Sequence, residues 1–241
     1  MRIDILTLFP SMFSPLEESM IGKAKDKGII DIAVTDVRSF AKDKHKTADD
    51  TPYGGGAGMV MKPDLIFDAL GSIKKTGKRT KTILLSPSGR AFDQETAKEL
   101  AKCEHLIFIC GHYEGVDERV KDAIDEEISV GDYVLTGGEL AAMAVIDALS
   151  RFIPGVLGDS ASSEEDSFSG GLLEYPQYTK PGSYRDKKVP DVLMSGNHKN
   201  IAGWRREQAV MNTFFKRPDL LPKAELTSSD MAVLERIFTE V

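Results

Sequence analysis

Four glycine-containing segments hold most of the chemistry this sequence offers. They are Tyr53-Gly54-Gly55-Gly56-Ala57-Gly58, Ser86-Pro87-Ser88-Gly89-Arg90, Gly111-His112-Tyr113-Glu114-Gly115 and Gly131-Asp132-Tyr133-Val134-Leu135-Thr136-Gly137-Gly138. Glycine lets a main chain come close to a bound molecule. A phosphate-cradling loop of the Walker type needs Gly-Lys-Ser/Thr after its glycines, and none follows here. A dinucleotide fingerprint starting at Gly54 needs a third glycine where Met59 stands, and no apolar strand leads into the run. For the first segment this leaves either a close main-chain approach to a bulky ligand or a flexible turn. The two cysteines, Cys103 and Cys110, lack CxxC or metal-ligand spacing, so reduced thiols of a cytoplasmic protein are expected.

The elements that position these segments follow from apolar periodicity. Ile3–Phe9, Ile29–Val34, Lys81–Ser86, His105–Cys110 and Ile128–Leu135 read as strands. Asp93–Lys102 reads as a helix with Asp93 as its N-cap. Gly138–Ile153 reads as another, with Leu140, Met143, Ala144, Ile146, Asp147 and Leu149 near helical period. Alternating strands and helices predict an α/β fold with a mainly parallel, helix-covered sheet. The segments beginning at Ser86, Gly111 and Gly131 then leave the carboxyl ends of central strands, where open parallel sheets bind ligands. Loops of this kind suit an adenine, whose edge main-chain groups alone can read. Spacing by itself goes no further than a small-molecule site.

The chain has 241 residues, of which 41% are hydrophobic and 29% charged, enough apolar material for a core in one or two domains. Its net charge of −7 argues against a uniform polyanion binder, but the charge is uneven. Residues 1–176 carry 20 Lys and Arg against 30 Asp and Glu, whereas residues 177–241 carry 11 against 8. Screening over ~8 Å lets a local basic surface act on its own. Residues 158–171 hold five Ser, four acids and three Gly, the composition of a mobile linker. Beyond it, Asn197–Phe215 and Ser228–Val241 read as helices sharing Trp204, Phe214, Phe215, Leu234 and Ile237 as core anchors. The expected organisation is therefore an α/β domain over 1–157, a flexible linker over 158–176 and a small, mostly helical domain over 177–241. No apolar run is long enough for a membrane span, and Met1–Leu6 reads as a strand rather than a signal peptide.

Longer motifs add a resemblance. Ser86-Pro-x-Gly-Arg90, Gly111-x-Tyr-Glu-Gly-Val-Asp-Glu-Arg119, Gly131-Asp-Tyr-Val-Leu-Thr-Gly-Gly-Glu139 and Arg151-Phe-Ile-Pro-Gly-Val-Leu-Gly158 resemble the bacterial tRNA (guanine-N1)-methyltransferases of the TrmD type. Asp43-Lys-His-Lys-Thr47, Tyr53-Gly-Gly-Gly-x-Gly-Met59, Glu165-Asp-Ser-Phe168 and Leu193-x-Ser-Gly-Asn-His198 match the same family, so the resemblance covers nearly the whole chain. One departure is His112, where many relatives carry Arg. The resemblance implies a knotted fold of the SPOUT superfamily, with a deep trefoil knot that binds S-adenosylmethionine. It also implies a homodimer, with each active site between the knot of one subunit and the linker of the other. The implied reaction is methyl transfer to N1 of guanine 37 in the tRNA anticodon stem-loop.

Residue by residue, the resemblance implies Asp166 as general base and Arg151 as the cation beside guanine O6. Donor contacts fall on Leu85, Ser86, Pro87, Gly111, Tyr113, Glu114, Val130, Gly131, Asp132, Tyr133, Val134, Leu135, Gly137 and Gly138. Glu114 can meet the donor's ammonium or hold a magnesium ion; no other residue is assigned to a metal. Lys44, His45, Lys46, Tyr53, Gly55, Asn197, His198, Lys199 and Arg205 are the expected tRNA contacts, with Lys180, Arg185 and Arg206 as further phosphate partners. A knotted methyltransferase of another RNA target and a non-catalytic RNA-binding adaptor are the alternatives.

Overall fold

Short runs of Ile, Leu and Val become the strands of a five-stranded sheet in a computed structural model that describes residues 1–157 and 166–240. The chain divides into two compact units, Met1–Gly158 and Asp159–Val241. In the first unit the order is β1 (Arg2–Thr7), α1 (Ser19–Asp26), β2 (Asp31–Asp36), β3 (Asp49–Asp50), β4 (Val60–Met61), α2 (Pro63–Ser72), β5 (Thr80–Ala91), α3 (Gln94–Leu100), β6 (His105–Cys110), β7 (Glu126–Ser129) and α4 (Glu139–Ser150). The sheet runs β2-β1-β6-β5-β7, and all its pairings are parallel. β3 and β4 form a separate short antiparallel pair. The expected α/β class with a mainly parallel sheet is what the chain adopts.

Alternation along the strands sends side chains to two cores. Ile3, Ile5, Leu106, Phe108 and Cys110 pack with α1, α3 and α4 on one face. Leu6, Leu84 and Ile109 pack with Leu65, Ile66 and Ala69 of α2 on the other. Burial on both faces explains why β6 reads as an uninterrupted apolar run, and all six of its residues are buried. Successive strands β5 and β6 are neighbours, and the chain then crosses back over β5 to reach β7. This reversal opens a crevice at the carboxyl ends of β5, β6 and β7.

Several element boundaries differ from the sequence reading, each for a local reason. The strand expected over Ile128–Leu135 ends at Ser129, because Gly131 takes φ +152° and the Tyr133 N–H donates back to the Gly131 carbonyl at 2.9 Å. Ser86–Gly89 is not a strand exit but an excursion within β5: Ile128 faces Leu85 and, after the excursion, Arg90. The strand expected over Ile3–Phe9 stops at Thr7; Phe9 caps a 3-10 turn, Pro10–Glu17, that begins with proline. The strand expected over Ile29–Val34 is displaced to Asp31–Asp36, in register with β1. Asp93 caps α3 as expected, accepting the Thr96 N–H at 2.8 Å. α4 buries Ala142, Val145, Ile146 and Leu149, whereas Leu140, read as part of the apolar stripe, is 52% exposed.

The second unit contains the hairpin strands β8 (Ser183–Tyr184) and β9 (Lys187–Lys188), then α5 (Asp191–Met194), α6 (His198–Lys216) and α7 (Ser228–Glu240). Its small core is Leu172, Ala209, Val210, Leu234 and Ile237, with Phe214 packed against it. Trp204 and Phe215, expected as core anchors, are not part of it. Phe215 is exposed, and Trp204 lies only partly buried beside Tyr178. Of the stretch read as a linker, residues 158–165 lie outside the described residues. Within 166–176, the Leu173 N–H donates to Thr213 Oγ1 at 2.8 Å and Asn212 Nδ2 donates to the Glu174 carbonyl at 2.9 Å. These bonds tie the segment to α6.

Candidate functional site

The two ends of the main sheet differ in how their polar groups are satisfied. At the amino end, buried His105 Nε2 lies 2.6 Å from Asp4, Arg2 pairs with the same carboxylate at 2.7 Å, and His105 Nδ1 accepts the Thr76 N–H at 3.1 Å. That network is closed on itself. At the carboxyl end is a crevice of about 350 Å³, within the size range of small-molecule sites. Its wall includes His112, whose buried Nδ1 has no hydrogen-bond partner among the described residues. A buried polar atom without a partner costs ~1–3 kcal/mol, which a polar ligand can relieve.

The glycines build the crevice by permitting close approach. Gly138, the N-cap of α4, sits where a β-carbon would lie 2.9 Å from Cys110 Cα and 3.2 Å from the Gly111 nitrogen. Its N–H donates to the Gly111 carbonyl at 2.8 Å, so the start of α4 closes directly onto the end of β6. His112 and Gly137 form an isolated antiparallel bridge beside it. The Tyr53–Gly58 loop is tied to the same place: the Glu114 N–H donates to the Met59 carbonyl at 3.0 Å, and the Met61 N–H to the Gly115 carbonyl at 2.9 Å. A β-carbon on Gly58, which has φ +83°, would strike the Glu114 carboxylate. The close approach at Gly58 is to the neighbouring loop rather than to a ligand, and an added β-carbon on Gly54 or Gly55 would meet nothing within 4 Å.

One wall is aromatic. His112 lies between Phe9 and Tyr113, with ring centroids 4.8 and 4.9 Å away. Tyr113 holds φ +61°, an uncommon conformation for an aromatic residue. Arg38 donates to its hydroxyl at 3.3 Å and lies 5.8 Å from the Phe9 centroid. Beneath, the buried carboxylate of Glu139 accepts from Thr7 Oγ1 at 2.7 Å. Burial, and then the Glu139 charge, raise the Cys110 thiol well above its ordinary range, so it is protonated and inert near neutrality. Burial alone would raise the Glu127 carboxyl, but bonds from Ser86, Lys121 and Ser88 outweigh it and hold the group below its usual value. The crevice edge there stays anionic.

Leu85, Ser86, Pro87, Gly111, Tyr113, Glu114, Val130, Gly131, Tyr133, Val134, Leu135, Gly137 and Gly138 all line this crevice. Asp132 does not; it is exposed on the turn above. His112, Val116, Lys121, Glu127, Thr136 and Ala141 line it too but were not singled out as contacts. Most lie inside or just beside the glycine motifs, so proximity in sequence was the available signal. A larger open trough of about 1050 Å³ near α3 is lined by side chains already paired, such as Arg90 with Glu99 and Lys98 with Glu95. It lacks the converging main-chain loops.

The remaining expected residues are placed as follows. Arg151 is the exposed C-cap of α4 in the first unit, and Asp166 is partly buried in the second. Lys44, His45 and Lys46 are exposed on a turn closed by the Asp43 carboxylate, which accepts the His45 and Thr47 N–H groups at 3.0 Å each. Tyr53 is fully exposed, and Gly55 beside it has φ +76°. Asn197 caps α6 by accepting the Asn200 N–H at 3.2 Å; His198 and Lys199 are exposed on its first turn. Arg205 lies over the Tyr175 ring at 4.7 Å. Among the described residues no group of three or more His, Cys, Asp or Glu converges as a metal cage, and Glu114 is a single carboxylate packed on Gly58. No step is assigned to magnesium.

A parallel sheet covered on both faces, with main-chain loops framing a crevice at its carboxyl ends, defines an α/β protein of the doubly covered parallel-sheet class. Comparison with known proteins narrows the class. Residues 1–223 match the profile of the family described as tRNA (Guanine-1)-methyltransferase TrmD. A tRNA (guanine-N(1)-)-methyltransferase of Dictyoglomus turgidum is 57% identical over 242 residues, covering 100% of this chain and 98% of that protein. The protein of the same name in Leuconostoc mesenteroides is 54% identical over 241 residues, covering 100% and 99%. That of Geobacillus kaustophilus is 57% identical over 229 residues, covering 94% of each. The chain belongs to the TrmD family of tRNA (guanine-1)-methyltransferases.

Proposed function

We propose that this chain methylates N1 of guanine at position 37 of tRNA, with S-adenosylmethionine as methyl donor. The full-length match to enzymes named for the guanine-N1 reaction supports the activity. The observation that carries the donor assignment is the convergence of thirteen of the fourteen expected contacts on one crevice. The crevice chemistry fits the donor. Leu85, Pro87, Val130, Leu135 and Ala141 provide apolar surface for a purine, the glycine loops expose main chain, and His112 Nδ1 lacks a partner. Glu114 at the rim suits the ammonium of the amino-acid end. When bound, the donor supplies a methyl group made electrophilic by its sulfonium.

Guanine N1 carries a proton and its lone pair is delocalised, so the ring nitrogen is a weak nucleophile. Asp166 would take that proton as N1 bonds to the methyl carbon; the carbon–sulfur bond of the donor would break with its electron pair returning to sulfur, so that the neutral thioether leaves, and negative charge would build on O6 in passing. The Arg151 guanidinium stabilises that charge. Arg151 and Asp166 belong to different units, and we propose that they meet across a homodimer, with the base from one subunit serving the donor crevice of the other. A trefoil knot formed by the three crevice loops, a catalytic segment over 158–176 and a helical tRNA-binding domain over 177–241 complete this reading.

On the tRNA side, Lys44, His45, Lys46, Tyr53, Gly55, Asn197, His198, Lys199 and Arg205 contact the anticodon stem-loop. A loop base is a reasonable target, since unpaired bases can be splayed out. No helix among the described residues is long and apolar enough to cross a membrane. A tRNA substrate supports a cytoplasmic location. The test is Asp166→Ala: methyl transfer to unmodified tRNA should fall about 10²–10⁴-fold, as for removal of a general base, while donor affinity persists. Full activity in this variant removes Asp166 from the role.

A further inference from the structure

From Leu173 to Gln208 no residue of the second unit is fully buried, and residues 177–188 are all exposed. The buried residues of α6 are Ala209, Val210 and Thr213, all in its second half, and its first turn is exposed. Two aromatic rings lie on this stretch, Trp204 partly buried and Tyr178 exposed. Trp204, the largest apolar side chain in the protein, is outside the core cluster, and Tyr178 is 49% exposed. Their centroids are 6.3 Å apart and their planes tilted by 55°, so the rings are not stacked face to face. The stretch from 177 to 206 carries seven Lys and Arg against two Asp, in a chain of net charge −7. Such an excess of cations beside one exposed ring and one partly exposed ring suits a polyanion that also presents flat apolar surfaces.

We propose that Trp204 and Tyr178 form a stacking platform for unpaired bases of the RNA strand, with Lys180, Arg185, Lys199 and Arg205 taking its phosphates. This deepens the tRNA reading above and rests on it. Single-stranded RNA fits better than duplex, because a paired base has both faces covered by its neighbours. It also fits better than an acidic protein surface, which supplies charge but no series of flat rings. The fold anchors this part of α6: Arg206, two residues beyond Trp204, is fixed by Asp230 at 2.8 Å and by the Glu225 carbonyl at 2.8 Å.

Trp204 is the only tryptophan in the chain, so intrinsic fluorescence reads it directly in the full-length protein. Titration with an unmodified tRNA transcript should quench its emission saturably, at the dissociation constant found by filter binding. A blunt-ended RNA duplex with no unpaired base should leave the emission unchanged. Trp204→Leu should weaken tRNA binding roughly 5- to 150-fold, the range expected for losing one base–aromatic stack, with S-adenosylmethionine affinity unchanged. Trp204→Phe should recover most of the loss. Tyr178→Leu alters an exposed residue, and should reduce both the quench and the affinity. Transfer RNA that binds and is methylated with no change in Trp204 emission overturns the platform alone. Equal quenching by the blunt-ended duplex also overturns it. Failure to bind tRNA at all, with donor binding intact, overturns the platform and the tRNA reading together.

Discussion

Replacing Gly138 by alanine tests whether the crevice depends on the close contact between α4 and β6. Gly138 has φ −77° and ψ −6°, a conformation alanine adopts freely, so any effect must be steric. The added carbon would lie 2.9 Å from Cys110 Cα, 3.2 Å from the Gly111 nitrogen and 3.2 Å from Leu85 Cβ. Two of these are main-chain atoms of a buried central strand and its exit, which cannot rotate away. Relief must come from moving the start of α4 outward, which stretches the 2.8 Å bond from Gly138 N–H to the Gly111 carbonyl. Overpacking of this kind costs ~1–3 kcal/mol, and each kcal/mol lowers the melting temperature of a unit this size by about 2–4 °C. If ~1.4 kcal/mol falls on the bound state, the donor dissociation constant rises about tenfold. Calorimetric titration with S-adenosylmethionine and a thermal melt measure both. Gly71→Ala is the control: nothing lies within 4 Å of its β-carbon in α2, and it should gain up to about 1 kcal/mol. Wild-type donor affinity and melting temperature in Gly138→Ala would refute the reasoning.

Other expectations concern the second unit. Affinity for tRNA should fall steeply with salt, because phosphate contacts release counterions, while donor affinity should barely change; equal salt sensitivity of the two ligands contradicts that division. Burial alone would raise the Asp230 carboxyl, but Arg206 at 2.8 Å and the Thr227 N–H and hydroxyl at 2.7 and 2.8 Å hold it down to about 2. A folded value below the unfolded one stabilises above about pH 4 and loses that contribution as pH falls towards 2, amounting to ~2 kcal/mol. Asp230→Asn should therefore melt lower than wild type at pH 7, with the gap closing in acid; a gap independent of pH contradicts the assignment.

Much of the first unit is legible because its physics is local. β6 matches its reading residue for residue, since a strand buried on both faces must be apolar throughout. Asp93 announces α3 through its cap. Val130–Leu135 is as apolar as a strand, yet the main chain turns at Gly131, and composition does not report a φ of +152°. α1, with Ser, Gly and three charged residues among its eight, and α2, with Gly near its end, were not read because short helices carry little periodic signal. Trp204 misled in the other direction. Apolar size suggests a core position, but only tertiary packing shows that Ala209 and Val210 fill that place. The proposed donor contacts were reached through motif resemblance rather than spacing, since recognition by main chain would leave few demands on side-chain type. His112 needed the structure: only packing reveals that its Nδ1 is buried without a partner.

The most direct test of the account is mass-spectrometric mapping of the nucleotide methylated when the purified chain, S-adenosylmethionine and an unmodified tRNA transcript are combined. The account predicts a single product, 1-methylguanosine at position 37. A methyl group on a ribose, on another base or at another position would contradict it.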